Sequence, residues 1–406
     1  MLKNILRQIS PRMNIMLINQ ISILLTLPVI LSNMSNFSFG LVGISLIIMQ
    51  AGWVIIDWSS TIYFTEVWHK YPNQFEKNKL ISRHIYSRLL IFIVYLVSIS
   101  SAIALKIISL PWELFAVIIP GILAGGIFPL WFFHIIKRPD ELVVITLTSR
   151  ILFVVLTFLL VKSDADKVIY LALQSLTFSL ITIYGFRRMF LFHNVHWQPT
   201  NLRNAINHLR LNTPYMFNTF CSNHIHILWS LSLSMVSGPV AVGLYSLAEQ
   251  GYRVGNSISA AFAQVIRVNT IKEKLVNTLF IVLTFMFLVF IIFFVGQWVV
   301  DNILSSVLPY DYKGVINILK IMLAIWLVQA WIKFINYSIV GKILGTNTLH
   351  KFSFWIILLH LTFILVWAVN SSSLNNFTES FLLASIIQFS ILLASLINKY
   401  CFSKNK

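Results

Sequence analysis

Five ionisable residues lie within stretches of the sequence that are otherwise apolar: Asp57, Arg150, Glu249, Arg253 and Lys333. A charged side chain in a hydrocarbon environment costs several kcal/mol unless it is paired or hydrated, so each of these is a candidate functional residue. Glu249 and Arg253 are four residues apart, which places them on one face of a helix where they can form an ion pair. The spacing leaves open whether that pair does more than neutralise two charges.

The buried cations suggest the chemistry of anion binding. No acidic residue lies within one helical turn of Arg150 or Lys333. Since a guanidinium matches phosphate oxygens in a bidentate manner, Arg150 and Arg253 are suited to a phosphate group. For Lys333 the alternative is that the long side chain reaches the membrane surface with its charged end. Asp57 lies near the end of an apolar stretch, so a position at the membrane interface would explain it.

His224 and His226 form a His-x-His pair, which raises the question of a metal site. Residues two apart on a helix point in different directions, and no cluster of carboxylates or thiols accompanies the pair. We therefore predict no metal site and no catalytic residues, and the absence of a P-loop argues against direct ATP hydrolysis. Cys221 and Cys401 lie in unlike settings, so no structural disulfide is expected.

The composition indicates an integral membrane protein. Of 406 residues, 58% are hydrophobic and 11% are charged, whereas a soluble domain carries roughly 25% charged residues. The formal net charge of +17 could suggest a nucleic-acid partner. No polar stretch is long enough to form a soluble basic module, however, so we predict no nucleic-acid partner and assign the basic residues to cytoplasmic loops.

Membrane-spanning helices must position the candidate residues. A hydrocarbon core of about 30 Å requires about 20 mostly apolar residues as a helix, and the apolar runs are continuous rather than alternating as in barrel strands. The sequence therefore predicts an all-α polytopic membrane protein with about 12 transmembrane helices. The candidate spans are residues 14–32, 39–60, 86–108, 113–136, 142–162, 166–186, 214–236, 239–262, 276–300, 315–341, 352–370 and 378–398.

Basic residues in the connecting loops predict the orientation. With the N-terminus on the cytoplasmic side, 22 Lys and Arg residues fall on that side and five on the other. Since cytoplasmic loops are rich in Lys and Arg, both termini are predicted to be cytoplasmic. The second loop alone contributes Lys70, Lys77, Lys79, Arg83 and Arg88.

Weak internal similarity predicts two six-helix halves. Gly40 begins the second predicted span and Gly243 the eighth, and the two are 203 residues apart, which is half the chain. Repeat construction is common among secondary transporters. The predicted parts are an N-terminal six-helix bundle over 1–190, a cytoplasmic connecting loop over 191–213 and a C-terminal six-helix bundle over 214–406.

Several short motifs, in this order, are similar to those of O-antigen flippases of the Wzx type. These proteins form the polysaccharide-export branch of the superfamily that also contains MATE multidrug exporters. One position departs from the family, because its frequent Gln-Gly is replaced by His134-Ile135, and we assign that position no role. The matching motifs are Lys3-Asn4-Ile5-Leu6, Phe39-Gly40-Leu41, Pro129-Leu130-Trp131-Phe132-Phe133 before Lys137-Arg138, and Gly243-Leu244-Tyr245-Ser246-Leu247-Ala248-Glu249 with Arg253.

The resemblance implies a flippase that moves undecaprenyl-diphosphate-linked polysaccharide repeat units from the cytoplasmic to the periplasmic leaflet of a bacterial inner membrane. It also implies two bundles around a central cavity, in which we expect Arg150, Arg253 and Lys333 to face the substrate. Glu249 and Asp57 complete the predicted translocation residues. No cofactor is expected beyond a coupling proton or sodium ion, and the expected partners are inner-membrane lipids, a polymerase and a chain-length regulator.

Two other functions remain open at the level of sequence. An O-antigen polymerase would be expected to have a large periplasmic loop, whereas the predicted outer loops are short. A MATE-like small-molecule exporter would be expected to bury acidic residues in the first bundle, where only Asp57 is available. The sugar of the substrate is open as well, since capsule, teichoic acid and enterobacterial common antigen are alternatives to O-antigen.

Overall fold

The chain folds into helices throughout its described part. The computed structural model describes residues 2–270, 275–307, 314–336, 346–370 and 373–404, and these contain no strand. Several loop lysines used to predict the orientation, and the end of the predicted span 315–341, lie outside the described residues. The α-helices are α1 (Leu2–Asn33), α2 (Asn36–Asp57), α3 (Ser60–Val67), α4 (Gln74–Ala104), α5 (Trp112–Ile127), α6 (Leu130–Ile135), α7 (Val143–Leu160), α8 (Lys167–Phe192), α9 (Leu202–Thr219), α10 (Ile225–Val236), α11 (Pro239–Thr270), α12 (Leu275–Val299), α13 (Ser305–Val307), α14 (Val315–Ile335), α15 (Thr346–Val369) and α16 (Leu374–Lys404).

Eight helical segments of the described chain are long and apolar enough to cross a membrane. Three further apolar helices are shorter, and α11 is not among either set. The count of twelve spans and the cytoplasmic position of both termini therefore remain predictions. The eight segments are Asn36–Lys70, Gln74–Ala104, Trp112–Ile135, Pro139–Leu160, Asp164–Phe192, Asn277–Leu304, Val315–Ile335 and Leu374–Asn398.

The second predicted span, 39–60, corresponds to α2 and ends at a break in the helix. Helix α2 ends at Asp57, and Trp58 and Ser59 have φ angles of 47° and 60°. This left-handed conformation is uncommon for residues other than glycine and ends the helical hydrogen bonding. The chain then restarts as α3, so residues 36–70 form two helices with a break between them.

The predicted connecting segment 191–213 includes the first part of a helix, because α9 begins at Leu202. Ala205, His208 and Asn212, spaced as one face of a helix, are buried. Helix α9 is followed by a π-helical turn, Phe220–His224, and by α10. The segment is thus a helix with a packed face rather than a solvated loop.

Contacts along the chain divide it into two compact units. The N-terminal unit comprises Ile21–Thr219 with Leu233–Gly243, and the C-terminal unit comprises Met1–Gln20, Phe220–Ser232 and Leu244–Lys406. In the first, α5 packs between α2 and α8, and in the second, α14 packs against α12 and α16. The boundaries predicted at residues 190 and 214 stay a prediction.

Glycine allows the closest helix approach in the N-terminal unit. A Cβ atom on Gly40 would lie 1.9 Å from the carbonyl oxygen of Pro239, at the start of α11. Gly243, one turn later, faces Gly40 in turn, with its Cβ position 3.1 Å from the Gly40 Cα. The two glycines that suggested the internal repeat therefore lie against each other, where small residues let backbones approach.

Candidate functional site

Glu249 and Arg253 form a buried ion pair on α11 in the C-terminal unit. The Arg253 Nη2 donates to Glu249 Oε2 at 2.6 Å, as the i, i+4 spacing predicts. The Ser230 hydroxyl on α10 donates to the other carboxylate oxygen at 2.8 Å. Glu249 is 0% and Arg253 6% exposed, so the pair holds the guanidinium in place within the unit.

The other two nitrogens of that guanidinium have no acceptor in the described part of the chain. The Nε and Nη1 atoms of Arg253 are buried and have no hydrogen-bond partner among the described residues. A buried donor without an acceptor costs about 1–3 kcal/mol, and more when it is charged. These two nitrogens could each donate to a ligand, and an anion is the acceptor that best suits a guanidinium.

Lys333 lies close to the same turn of α11. It extends from α14, and its Nζ donates to the side-chain oxygen of Asn256, which is three residues beyond Arg253. Lys333 is 1% exposed, and among the described residues no carboxylate lies within ion-pair distance of it. Because Lys333 is buried inside the unit, its ammonium group is not extended towards the membrane surface, which argues against the alternative given above for this side chain.

The two histidines of the His-x-His pair lie in the C-terminal unit but do not converge. Their ring centroids are 6.3 Å apart, and the His226 ring lies 5.1 Å from that of Tyr252. Within the described residues, no group of three or more His, Cys, Asp and Glu side chains could hold a metal ion.

Arg150 has partners that the sequence around it does not show. From α7, its Nη1 donates to Gln174 Oε1 on α8 at 2.9 Å. The guanidinium carbon also lies 3.9 Å from the centroid of the Phe178 ring, which is the geometry of a cation–π contact. Arg150 is 1% exposed and belongs to the N-terminal unit, whereas Arg253 and Lys333 belong to the other unit.

Asp57 pairs with Arg88, which corrects the predicted position of Arg88 in a loop. Arg88 lies on α4 rather than in the predicted cytoplasmic loop, is 1% exposed and forms an ion pair with the half-exposed Asp57 carboxylate. It also donates to the Ser60 hydroxyl and, at 3.4 Å, to the carbonyl of Phe128 at the end of α5. A cation is favoured at helix C-termini because unpaired carbonyls and the helix dipole concentrate negative charge there. Arg88 therefore stabilises the break after α2.

Aromatic and imidazole rings surround this break on its other side. The Trp131 ring lies 5.9 Å from the Arg88 guanidinium and 4.2 Å from the ring of Phe64. His84 Nδ1 and His208 Nε2 are 3.1 Å apart, which joins α4 to α9. Burial, and then the positive charges of Arg83 and Arg88, lower the pKa of His208 to about 4. Sequence reasoning missed this group, although His84 and Arg88, four residues apart at the start of an apolar helix, were the available signal.

The buried charges of the described chain are unbalanced. They comprise four cations, Arg88, Arg150, Arg253 and Lys333, but a single carboxylate, Glu249. A buried charge is costly unless it is compensated, so an excess of cations is a physical reason to expect an anionic ligand. The predicted translocation residues thus occur in two places, and their roles stay predictions.

Comparison with known proteins identifies the family and the fold of the chain. The sequence profile described as "Polysaccharide biosynthesis protein" matches residues 5–267. No curated protein sequence matches the chain significantly. A MATE structure in complex with MaD3S is similar with a TM-score of 0.63 at 14% identity, covering 98% of this chain and 96% of that one.

Two other transporter structures have a similar fold. The inward-facing conformation of a multidrug resistance MATE transporter of the MOP superfamily has a TM-score of 0.62 at 11% identity, covering 94% of this chain and 95% of that one. A MOP superfamily transporter from Pyrococcus furiosus has a TM-score of 0.52 at 11% identity, covering 98% and 96%. At such identities the likeness concerns the fold alone. The chain is a multi-pass membrane protein with a MATE-like fold, and it belongs to the polysaccharide biosynthesis protein family.

Proposed function

We propose that the protein is a Wzx-type flippase for undecaprenyl-diphosphate-linked polysaccharide repeat units, acting in a bacterial inner membrane. The observation that carries the proposal is the excess of buried cations. The most important of them is Arg253, near Lys333, whose Nε and Nη1 atoms have no hydrogen-bond acceptor among the described residues. A diphosphate supplies the oxygens that these donors lack. Membership of the polysaccharide biosynthesis protein family gives the substrate its class.

In this proposal Arg253 and Lys333 bind the diphosphate through the C-terminal unit. Arg253 offers the N–H groups of Nε and Nη1 in a fixed orientation, because Glu249 holds the Nη2 atom of the planar guanidinium. Lys333 adds a second positive charge. Arg150 provides an additional cation in the N-terminal unit. In this proposal Glu249 keeps Arg253 in position, and Asp57 keeps Arg88 in position.

A MATE-like small-molecule exporter is the alternative that the fold similarity favours. A carrier of organic cations needs buried negative charge, and the described part of this chain buries one carboxylate, already paired with Arg253. An anionic substrate therefore fits the buried charges better. An O-antigen polymerase receives no support from the fold.

Transport by reconstituted protein tests the proposal. The full chain is placed in vesicles whose inner leaflet carries a fluorescent undecaprenyl-diphosphate oligosaccharide, and its appearance outside is followed by quenching. Since a charge-assisted hydrogen bond contributes about 1.5–3 kcal/mol, Arg253→Gln and Lys333→Met are each expected to slow flipping at least about tenfold. Lys320→Met is the matched control, because Lys320 lies on the same helix but is about a third exposed.

The outcomes separate the two functions. Normal flipping by both variants, with unchanged insertion and thermal stability, would refute the assigned residues. An unmodified protein that moves no lipid-linked oligosaccharide but expels cationic dyes from the same vesicles would establish the exporter instead. A polymerase and a chain-length regulator remain the proposed protein partners.

A further inference from the structure

The surface of α9 opposite its packed face combines apolar and basic residues. Leu202, Ile206 and Phe217 form a stripe along one side of the helix, and Leu202 and Ile206 are 51% and 52% exposed. Arg203 and Arg210 are exposed and border this stripe at neighbouring helical positions. An apolar stripe with arginines along its edge is the pattern of a helix that lies in a membrane interface.

The opposite face of α9 is already occupied. His208 contacts His84, and the carbonyl of Ala205 accepts a hydrogen bond from the Ser87 hydroxyl at 3.1 Å. Near its end, the carbonyl of Tyr215 accepts a hydrogen bond from Ser59, at the break after α2. The helix is therefore fixed to α4 and α3 by one face, so that its apolar stripe points away from the unit that holds it.

Three features identify what covers that stripe. Helix α9 leads through the π-helical turn into the apolar helix α10, so the chain itself holds α9 close to the bilayer. No acidic residue occurs between Lys167 and Ala248, so the arginine charges on α9 itself have no acidic neighbour along the chain. The Tyr215 hydroxyl, near the end of the helix, donates to the carboxylate of Glu66 on α3 at 2.7 Å. The indole of Trp197, just before α9, is 49% exposed, and tryptophan favours the level of lipid headgroups.

We propose that α9 is an interfacial helix whose Leu202, Ile206 and Phe217 stripe inserts among lipid acyl chains while Arg203 and Arg210 bind the phosphate groups of anionic phospholipids. The inference does not depend on the transported substrate. Its consequence is that anionic lipid holds α9 on α4, and through Tyr215 and Ser59 steadies the break after α2.

Hydrogen–deuterium exchange of the full chain in nanodiscs tests the proposal. Peptides covering residues 202–217 are compared in phosphatidylcholine alone and in a mixture with phosphatidylglycerol. Each arginine near an anionic surface contributes a factor of about five in binding, so the mixture is expected to slow exchange of α9 by up to about 30-fold. Flanking peptides of α4 that are not in contact with α9 serve as the internal reference.

Two double variants separate specific binding from a general effect of charge. Arg203→Gln with Arg210→Gln is expected to abolish the phosphatidylglycerol effect on α9. Lys106→Gln with Lys162→Gln removes the same charge from exposed positions in the connections after α4 and α7 and should leave the effect intact. The proposal would be overturned if α9 of the unmodified protein exchanged equally fast in both lipids. It would also be overturned if both double variants lost the phosphatidylglycerol effect to the same extent.

A third variant tests the apolar stripe. Ile206→Asn is expected to speed exchange of α9 in both lipids, because insertion among acyl chains no longer stabilises the helix. If α9 instead served a protein partner and stood clear of the bilayer, its exchange would not respond to lipid composition or to Ile206→Asn in the purified protein. That result would also overturn the proposal.

Discussion

Replacing Arg88 with methionine is expected to destabilise the protein by about 3 kcal/mol, although Arg88 is not assigned to transport. Methionine retains most of the aliphatic volume and removes the guanidinium. The change therefore tests the conclusion that one buried cation stabilises the ends of α2 and α5 and the start of α3.

The magnitude follows from the separate contacts of Arg88. Its ion pair with Asp57 contributes only about 1 kcal/mol, because the carboxylate is 41% exposed and water screens the charge. The carbonyl oxygens of Asp57 and Phe128, at 3.5 and 3.4 Å, lose a donor at a helix end, at about 1 kcal/mol each. Asp57→Asn alone should cost about 1 kcal/mol, and nothing more in the Arg88→Met background.

Equilibrium unfolding in mixed micelles, titrated with dodecyl sulfate and followed by circular dichroism, measures these free energies. Arg187→Met is the matched control, because Arg187 is an exposed arginine on α8 and its loss should change stability by less than about 0.5 kcal/mol. The stabilising role of Arg88 fails if Arg88→Met is as stable as the unmodified protein. It also fails if Asp57→Asn costs the same in both backgrounds.

Two further predictions concern the N-terminal unit. Gly40→Ala should lower the free energy of unfolding by at least about 2 kcal/mol, because the new methyl group would clash with the carbonyl carbon and oxygen of Pro239. Gly238→Ala is the control and should be neutral, because no atom lies within 4 Å of its new methyl group. Similar melting temperatures for the two variants would contradict this prediction. The pKa of His208 is lowered from 6.5 to about 4, so the folded state favours neutral imidazole, and the stabilisation is complete above pH 6.5 and is lost as the pH falls towards 4. His208→Gln should therefore flatten the decline in melting temperature between pH 6.5 and 4, and an unchanged pH profile would show that another group is responsible.

Sequence reasoning worked where the relevant interaction is local. Long apolar runs predicted helices correctly, because a backbone in hydrocarbon must satisfy its own hydrogen bonds. The ion pair of Glu249 and Arg253 followed from an i, i+4 spacing within one helix. It failed at Arg88, because a position near the start of an apolar helix does not reveal whether a side chain points to water or to the end of another helix.

The amino-acid sequence by itself determined that this is a helical membrane protein with a surplus of positive charge, since composition and apolar length depend on no partner. Only the tertiary structure decided which charges are compensated. Arg150 donates a hydrogen bond to Gln174 on the next helix, and Lys333 donates one to Asn256 on α11. The Nε and Nη1 atoms of Arg253 have no acceptor among the described residues. The physical reason is that a buried charge is stabilised by groups that are close in space, and helix packing brings those groups from distant parts of the chain.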